Sequence, residues 1–178
     1  MPEYRIRSLK ACEFAAATAS LTDVLIDCVA GGASVSFLHP LVPEKAAAFW
    51  GEVGQSVARG ERTLIVAEDG QGRIVGTVQL ITSQPENQPH RADVAKLLVH
   101  RAARRKGIAK RLMAYLEAVA TTQGKSVLVL DTATGSDAEI FYQSIGWLRV
   151  GDLPHYALMP DGSPCSTTFY YRNLRYTK

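Results

Sequence analysis

The chain has 178 residues, of which 47% are hydrophobic and 21% are charged, and these proportions exclude an intrinsically disordered protein. Its 20 basic and 17 acidic residues give a net charge of +3, which is too small to argue for a nucleic-acid partner. A chain of this length fits one hydrophobic core, so we predict a single domain over residues 1–178.

Cysteine usage and hydropathy favour an intracellular protein. The three cysteines are odd in number and far apart, which predicts reduced thiols rather than a disulfide framework or a zinc site. The first residues lack the basic flank and apolar run of a signal peptide. No apolar stretch approaches the roughly 20 residues of a membrane helix. We therefore expect a soluble, cytoplasmic protein with no membrane partner.

Apolar spacing and turn residues predict alternating strands and helices along the whole chain. The first predicted helix starts near Phe14 and ends at Gly31-Gly32, and the second starts at Pro43 and ends at Gly60. Two further helices are predicted at 107–122 and 137–145. Strands are predicted at 4–9, 63–68, 73–83, 93–99, 126–131, 147–153 and 167–174. This order predicts an α/β fold, with a mixed sheet and helices on both faces.

A basic, glycine-containing stretch lies between a predicted strand and a predicted helix, and it consists of Arg104, Arg105, Lys106, Gly107, Ile108 and Ala109. Unpaired N–H groups and the helix dipole at a helix start suit a pyrophosphate, and a glycine lets the backbone approach it closely. Arg101 adds positive charge nearby. The alternatives are a solvated basic loop and a nucleic-acid patch, which the lack of interleaved aromatic residues disfavours.

In this setting the stretch resembles the Arg/Gln-x-x-Gly-x-Gly/Ala loop of the GNAT N-acetyltransferases, which holds the pyrophosphate of acetyl-CoA. The order of elements resembles that family over nearly the whole chain. The resemblance implies a mixed, mostly antiparallel central sheet, acetyl-CoA as cosubstrate and no metal. Segments similar to GNAT members that acetylate a small amino-acid-like toxin are 31–37, 91–97, 130–132, 135–136, 139–142, 149–151, 153–154 and 160–162.

The resemblance implies a catalytic tyrosine at Tyr142, which can give its proton to the CoA thiolate. A phenol with a pKa near 10 is a plausible partner for a thiolate leaving group. The alternative is a packed helix aromatic beside Phe141, and we expect only one of the two rings to face the core.

Two carboxylates are candidates for handling the amine. Asp93 starts the strand that leads to the basic loop, where the resembled proteins have a glutamate, so a bridging water is favoured over direct proton abstraction. Its alternative is an ordinary strand-edge charge. Asp131 ends an apolar strand predicted to be covered on both faces, and it would bind or deprotonate the substrate ammonium. Its alternative is to cap the Thr132–Ser136 turn.

Backbone groups complete the implied cofactor site. The N–H and C=O groups of Leu97, Leu98 and Val99 are expected to pair with the pantetheine amides, and one N–H is the candidate oxyanion donor. Ser136 is a candidate for bonding the pantetheine arm, with an N-cap role as its alternative. The four histidines lack metal-ligand spacing.

These features predict an acetyl-CoA-dependent N-acetyltransferase that acts on a small amine by direct attack in a ternary complex. The alternatives are acetylation of a protein lysine or N-terminus, and a non-catalytic CoA-binding regulator. Loops predicted at 31–43 and 154–164 are long enough to cover the acceptor side, which favours a small molecule. The oligomeric state stays open between a monomer and a homodimer that pairs through an edge strand such as 167–174.

Overall fold

The computed structural model describes residues 4–176, so the leader prediction for residues 1–3 and the ends of the predicted domain lie outside the described residues. Seven strands and four α-helices form within this range. The strands are β1 (Arg5–Leu9), β2 (Arg62–Glu68), β3 (Ile74–Ile81), β4 (Arg91–Val99), β5 (Val127–Ala133), β6 (Leu148–Leu158) and β7 (Pro164–Asn173). The helices are α1 (Phe14–Ala30), α2 (Pro43–Ala58), α3 (Ile108–Thr122) and α4 (Asp137–Ser144).

All strands belong to one sheet in the order β1-β2-β3-β4-β5-β7-β6. Every neighbouring pair is antiparallel except β4 and β5, which are parallel and joined through α3. The predicted α/β class, with a mixed and mostly antiparallel sheet, is confirmed. The parallel pair needs a long crossover connection, and the 15-residue α3 supplies it.

Helices cover both faces of the sheet because the inner strands are apolar on both sides. Along β2, Leu64 and Val66 pack into the core formed with α1 and α2, whereas Ile65 and Ala67 pack into the core formed with α3. This alternation follows from the two-residue period of a strand. Burying each large aliphatic side chain contributes about 1.5–3 kcal/mol relative to leaving it exposed.

The sheet opens between β4 and β5. The two strands pair only over Arg91–Asp93 and Val127–Val129, and beyond these residues each strand continues without the other. On its other side β4 bulges, because Lys96 and Leu97 together lie opposite the single residue Val78 of β3. The result is a gap at the carboxyl ends of the two parallel strands, where α/β sheets place their ligands.

The β6–β7 hairpin differs from the prediction in two ways. The loop predicted at 154–164 is wrong, since β6 extends to Leu158 and β7 begins at Pro164. Two extra residues of β6 bulge between Leu153 and Ala157, and an edge strand tolerates the proline at 154 because no neighbour needs its N–H. The segment 167–174 is not an edge strand either, since β7 lies between β5 and β6. The edge strands of the described sheet are β1 and β6, so a homodimer that pairs edge to edge would use one of these.

Candidate active site

A cleft forms where the loop between β4 and α3 faces α4; we call it the β4–α3 cleft. Its volume is about 240 Å³. Five of the six residues of the basic stretch line it, together with the predicted Val99 and three residues that the sequence prediction did not include, Ala103, Lys110 and Phe141. The lining residues are Val99, Ala103, Arg104, Arg105, Gly107, Ile108, Ala109, Lys110 and Phe141.

The loop ends in a backbone shape that exposes the start of α3. Gly107 is the N-cap of α3 with φ 74°, a left-handed conformation that glycine adopts without strain. No side chain caps the helix there, so its first N–H groups remain available beside the positive end of the helix dipole. A Cβ on Gly107 would meet no atom within 4 Å, so the space beside it is open. These features fit a bound pyrophosphate.

The four predicted cations of the loop have different roles. Arg104 and Arg105 line the cleft, and neither forms an ion pair with a carboxylate of residues 4–176. The Lys106 side chain instead lies against Tyr4, whose hydroxyl accepts from Nζ at 3.1 Å, so the prediction that this side chain binds cofactor is not supported by the geometry. Arg101 likewise pairs with Asp27, with Nε to Oδ1 at 2.9 Å.

Of the three β4 residues predicted to offer backbone groups, Leu97 is the best placed. The ladder to β3 pairs Leu98 and Val99 but skips Leu97, and the ladder to β5 has ended before it. The Val99 carbonyl already accepts from Arg104 Nε at 3.0 Å and from Cys28 Sγ at 3.6 Å. The prediction that this carbonyl is free is therefore wrong.

Tyr142 is the buried ring of the α4 pair. It is 7% exposed, and its ring centroid lies 6.0 Å from that of Trp147 and 6.1 Å from that of Tyr170. Phe141 is half-buried and lines the cleft, so one ring of the pair is buried and the other is not, as expected. Desolvation, helped by the charge of Asp131, raises the pKa of Tyr142, which keeps the phenol protonated at neutral pH.

Ser136 does not act as a side-chain cap of α4. Its Oγ is buried and has no hydrogen-bond partner among the described residues. The capping role falls to Glu139, which accepts from the Gly135 N–H and, at 2.8 Å, from the Tyr170 hydroxyl. An unpartnered buried hydroxyl is costly on its own, so Ser136 remains a candidate for bonding a ligand.

A second pocket, of about 250 Å³, lies at the carboxyl end of β5; we call it the β5–β6 pocket. Four separate segments line it: Ser34, Ser36, Phe37 and Leu38; Asp131, Thr132 and Ala133; Tyr156, Ala157 and Leu158; and Thr167. The loop from α1 is fastened to the hairpin by Ser34 Oγ, which donates to the Leu158 carbonyl at 3.1 Å, and by His39 N, which donates to the Pro160 carbonyl at 2.8 Å. The predicted covering role of the 31–43 loop thus has a structural basis.

Asp131 projects into the β5–β6 pocket without an ion pair within residues 4–176. It is exposed rather than buried as predicted, because the gap beside β5 leaves one face of the strand open. Partial desolvation nevertheless raises the pKa of its carboxyl, the ammonium of Lys96 opposes this, and the charge of Asp93 adds to it. The Gly135 N–H of the following turn binds Glu139, which argues against Asp131 as the cap of that turn.

Asp93 is held in a polar network. Arg91 donates to its Oδ1, and Gln84 Nε2 donates to its Oδ2 at 3.0 Å. Arg91 also donates to Gln84, and to Gln88 Oε1 at 2.7 Å, which closes the network. Both carboxylate oxygens are therefore occupied, and Asp93 is neither an isolated strand-edge charge nor a free base.

Sequence reasoning assigned no role to Lys96, although its charge interacts with that of Asp131. The bulge places it at φ 53°, and its Nζ donates to Ser36 Oγ at 3.1 Å. Desolvation lowers the pKa of this ammonium, the charge of Asp131 opposes the shift and that of Arg62 adds to it. A bulge has no reliable signature in a single sequence, so no pattern pointed to this residue.

Residues 60–148, half of the chain, match the family model described as the acetyltransferase (GNAT) domain. The chain belongs to the GNAT acetyltransferase family. The protein is therefore an N-acetyltransferase by family, and its cosubstrate is acetyl-CoA, as expected from the sequence.

Solved structures share the fold over nearly the full length of this GNAT protein. An N-acetyltransferase from Staphylococcus aureus has a TM-score of 0.77 at 22% identity, covering 97% of this chain and 99% of that one. A ribosomal-protein-alanine N-acetyltransferase from Brucella melitensis has a TM-score of 0.76 at 22% identity, covering 95% and 99%. A phosphinothricin acetyltransferase from Sinorhizobium meliloti in complex with acetyl-CoA has a TM-score of 0.75 at 18% identity, covering 96% and 88%.

Two features typical of other function classes, a metal site and a membrane-spanning helix, are absent from the described residues. Within residues 4–176 no group of three or more His, Cys, Asp or Glu side chains is arranged to hold a metal ion. None of the helices in that range combines the length and the apolar character needed to cross a membrane.

Proposed function

We propose that this GNAT protein acetylates the amine of a small amino-acid-like molecule in the cytoplasm, as implied by its resemblance to the tabtoxin resistance protein. The supporting observation is the gap between β4 and β5. The β4–α3 cleft lies at the carboxyl end of one strand and the β5–β6 pocket at the carboxyl end of the other. A donor and an amine bound in these two places would meet where the sheet is open.

The residues proposed to bind acetyl-CoA are those with polar groups that the fold leaves available. Arg104, Arg105 and Lys110 would neutralise the phosphates, with the N–H groups at the start of α3 around the pyrophosphate. The Leu97 N–H is the proposed donor to the thioester oxygen, since no strand neighbour pairs with this residue. The Ser136 hydroxyl is the proposed partner of the pantetheine arm. Acetyl-CoA supplies an activated acetyl thioester.

Asp131 is the proposed general base. It reaches the pocket without an ion pair, and its raised pKa makes it a better proton acceptor than an ordinary aspartate. Asp93 is assigned to positioning, because Arg91 and Gln84 occupy both of its oxygens. This assignment separates two acids that the sequence alone leaves equivalent.

Tyr142 is the proposed hydrogen-bond donor to the leaving sulfur. Its raised pKa keeps the proton on the phenol, while a thiol ionises near pKa 8.5. Complete transfer of the proton from Tyr142 to the thiolate is therefore uphill. We assign Tyr142 to stabilising the negative charge that develops on sulfur, with the proton of the amine leaving through Asp131.

The form of the pocket favours a small acceptor over a protein. A volume of about 250 Å³ suits a molecule of amino-acid size, and the 31–43 loop is hydrogen-bonded across it to the β6–β7 hairpin. The fold alone does not distinguish a small-molecule acceptor from a protein acceptor. Its structural neighbours include both a ribosomal-protein-alanine N-acetyltransferase and a phosphinothricin acetyltransferase.

The test is a thiol-release assay with acetyl-CoA across amino acids, amino-β-lactams, aminoglycosides and lysine or N-terminal peptides. We expect release that depends on an amino-acid-like amine, with intersecting initial-rate lines for the two substrates. Release driven only by peptides would contradict the proposed substrate class. Tight acetyl-CoA binding with no accelerating amine would contradict the proposed reaction and favour a binding role.

A further inference from the structure

Two residues with unusual backbone conformations meet at the β5–β6 pocket. Ser36 has φ 77° and Lys96 has φ 53°, although neither is glycine. They come from different segments, the α1–α2 loop and the β4 bulge, and are joined by the 3.1 Å hydrogen bond from Lys96 Nζ to Ser36 Oγ. A left-handed conformation costs a non-glycine residue about 1–2 kcal/mol, and such strain clusters at functional sites.

The Lys96 ammonium has capacity left for a ligand. One of its three N–H donors is used by Ser36, and no carboxylate of residues 4–176 lies within 4.0 Å of it. The ring of Phe49 lies 5.8 Å from Nζ, so the ammonium itself faces an aromatic ring of α2 as well as the Ser36 hydroxyl of the pocket. Half-burial leaves the ammonium less fully hydrated than a surface lysine, and desolvation lowers its pKa.

The same end of the pocket carries an opposite charge. Asp131 lines the pocket, as does Ser36, the hydrogen-bond partner of Lys96. The ammonium of Lys96 and the carboxylate of Asp131 interact, each opposing the desolvation of the other. A cation and an anion placed in this way are complementary to a molecule that carries both an ammonium and an anionic group.

We propose that Lys96 is a specificity-determining residue that binds an anionic group of the acceptor, such as an α-carboxylate, while Asp131 receives its amine. This inference rests on the proposed function and deepens it, because it restricts the acceptor to amines that also carry a negative charge. The anion would take the free donors of Nζ, and Ser36 would fix the direction of the ammonium.

The experiment compares the best amino acid of the panel with its primary carboxamide, which keeps the amine and loses the charge. We expect the wild type to favour the acid in kcat/KM by about tenfold or more, the effect of one charge-assisted hydrogen bond. Lys96→Met is expected to bring the ratio close to one by raising KM for the acid. Because the variant also removes the charge that opposes the raised pKa of Asp131, kcat is expected to shift by the same factor for both acceptors, so the acid-to-amide ratio in kcat/KM is the decisive quantity.

Lys45→Met is the matched control. The Lys45 ammonium also lies near an aromatic ring, 5.9 Å from the centroid of Phe37, but it makes no hydrogen bond to Ser36. We expect it to keep the wild-type ratio. Lys96→Arg retains a cation and is expected to restore a preference for the acid. Acetyl-CoA affinity and Tm of each variant report whether the fold and the β4–α3 cleft are intact.

The possible outcomes separate this inference from the proposed function. A wild type that acetylates acid and amide with equal kcat/KM overturns the role of Lys96 and leaves the proposed function standing, and this comparison needs no variant. An equal loss for both acceptors in Lys96→Met also overturns it. A wild type that acetylates neither contradicts the proposed function itself, and the inference with it.

Discussion

The β4–α3 cleft and the β5–β6 pocket are built in different ways. One continuous stretch, residues 99–110, supplies all but one of the residues that line the cleft, and Phe141 is the exception. The pocket draws on four segments that are up to about 130 positions apart in the chain, from Ser34 to Thr167. A site for a common cosubstrate can be carried by a local motif, whereas a site for a particular acceptor depends on how distant segments pack.

The cleft and the pocket also differ in charge, and the cleft is again the less selective of the two. The cleft presents Arg104, Arg105 and Lys110 with no opposing carboxylate in its lining, which suits any phosphate-bearing ligand. The lining of the pocket combines a carboxylate with hydroxyl groups, one of which accepts from the Lys96 ammonium, and such a mixed arrangement suits few ligands. Variants of the cleft should therefore change cosubstrate binding, and variants of the pocket should change turnover and acceptor choice.

The largest effect is expected at Asp131. Asp131→Asn removes the proposed base and should lower kcat by about a hundredfold or more, with acetyl-CoA affinity unchanged. Asp93→Asn is the matched control, since its carboxylate is already occupied by Arg91 and Gln84. We expect it to lower kcat only about threefold. Thiol release and calorimetric binding check both, and the reverse ranking would exchange the roles of the two acids.

The next largest effect is expected at the start of α3. Gly107→Val places a branched side chain at φ 74° and in the open space of the cleft, so it should weaken acetyl-CoA binding by about thirtyfold. Gly124→Val is the control, because Gly124 has the same φ of 74°, an equally open side and a place beyond the end of α3. It should lower Tm without changing the Kd for acetyl-CoA. Equal losses of affinity would show that strain, not the cleft, is responsible.

Tyr142 lies on α4 next to Phe141 of the cleft, and the charge of Asp131 from the pocket acts on its phenol. Tyr142→Phe keeps the packing against Trp147 and Tyr170 and removes only the hydroxyl, so we expect kcat to fall about tenfold with the Kd for acetyl-CoA unchanged. Stopped-flow thiol release measures kcat, calorimetric titration measures the Kd, and Tm reports whether the packing is kept. An unchanged kcat would assign Tyr142 to packing alone.

The smallest effect on acetyl-CoA binding is expected at two adjacent cations, only one of which lines the cleft. Arg105 lines the cleft, whereas Lys106 bonds to Tyr4. Arg105→Ala should raise the Kd for acetyl-CoA about fivefold, the upper range for an exposed charge pair. Lys106→Ala should leave that Kd unchanged and lower Tm slightly. A larger loss of affinity in Lys106→Ala than in Arg105→Ala would show that Lys106 binds acetyl-CoA, in contradiction to this assignment.

The sequence predicted well what depends on local pattern. The ends of α1 and α2 were predicted at Gly31-Gly32 and Gly60, and the structure ends them there because these features depend on near neighbours. The basic stretch was found by its place between a strand and a helix, which is also local.

The predictions failed where contacts between residues far apart in the chain determine the local structure. Residues 154–164 were predicted as a loop because Pro154 interrupts the strand pattern, and the pairing of β6 with β7 overrides this signal. The direction of the Lys106 side chain depends on Tyr4, about a hundred positions away. Lys96 was missed because its position comes from a bulge and from contacts with Ser36 and Phe49.

The central claim is that an amine in the β5–β6 pocket takes the acetyl group directly from the donor in the β4–α3 cleft. Single-turnover transfer from labelled acetyl-CoA, quenched at intervals and separated into protein and amine, tests this most directly. We expect the label to appear on the amine at the rate at which thiol is released, with none on the protein at any time. Label that accumulates on the protein before it reaches the amine would contradict direct transfer.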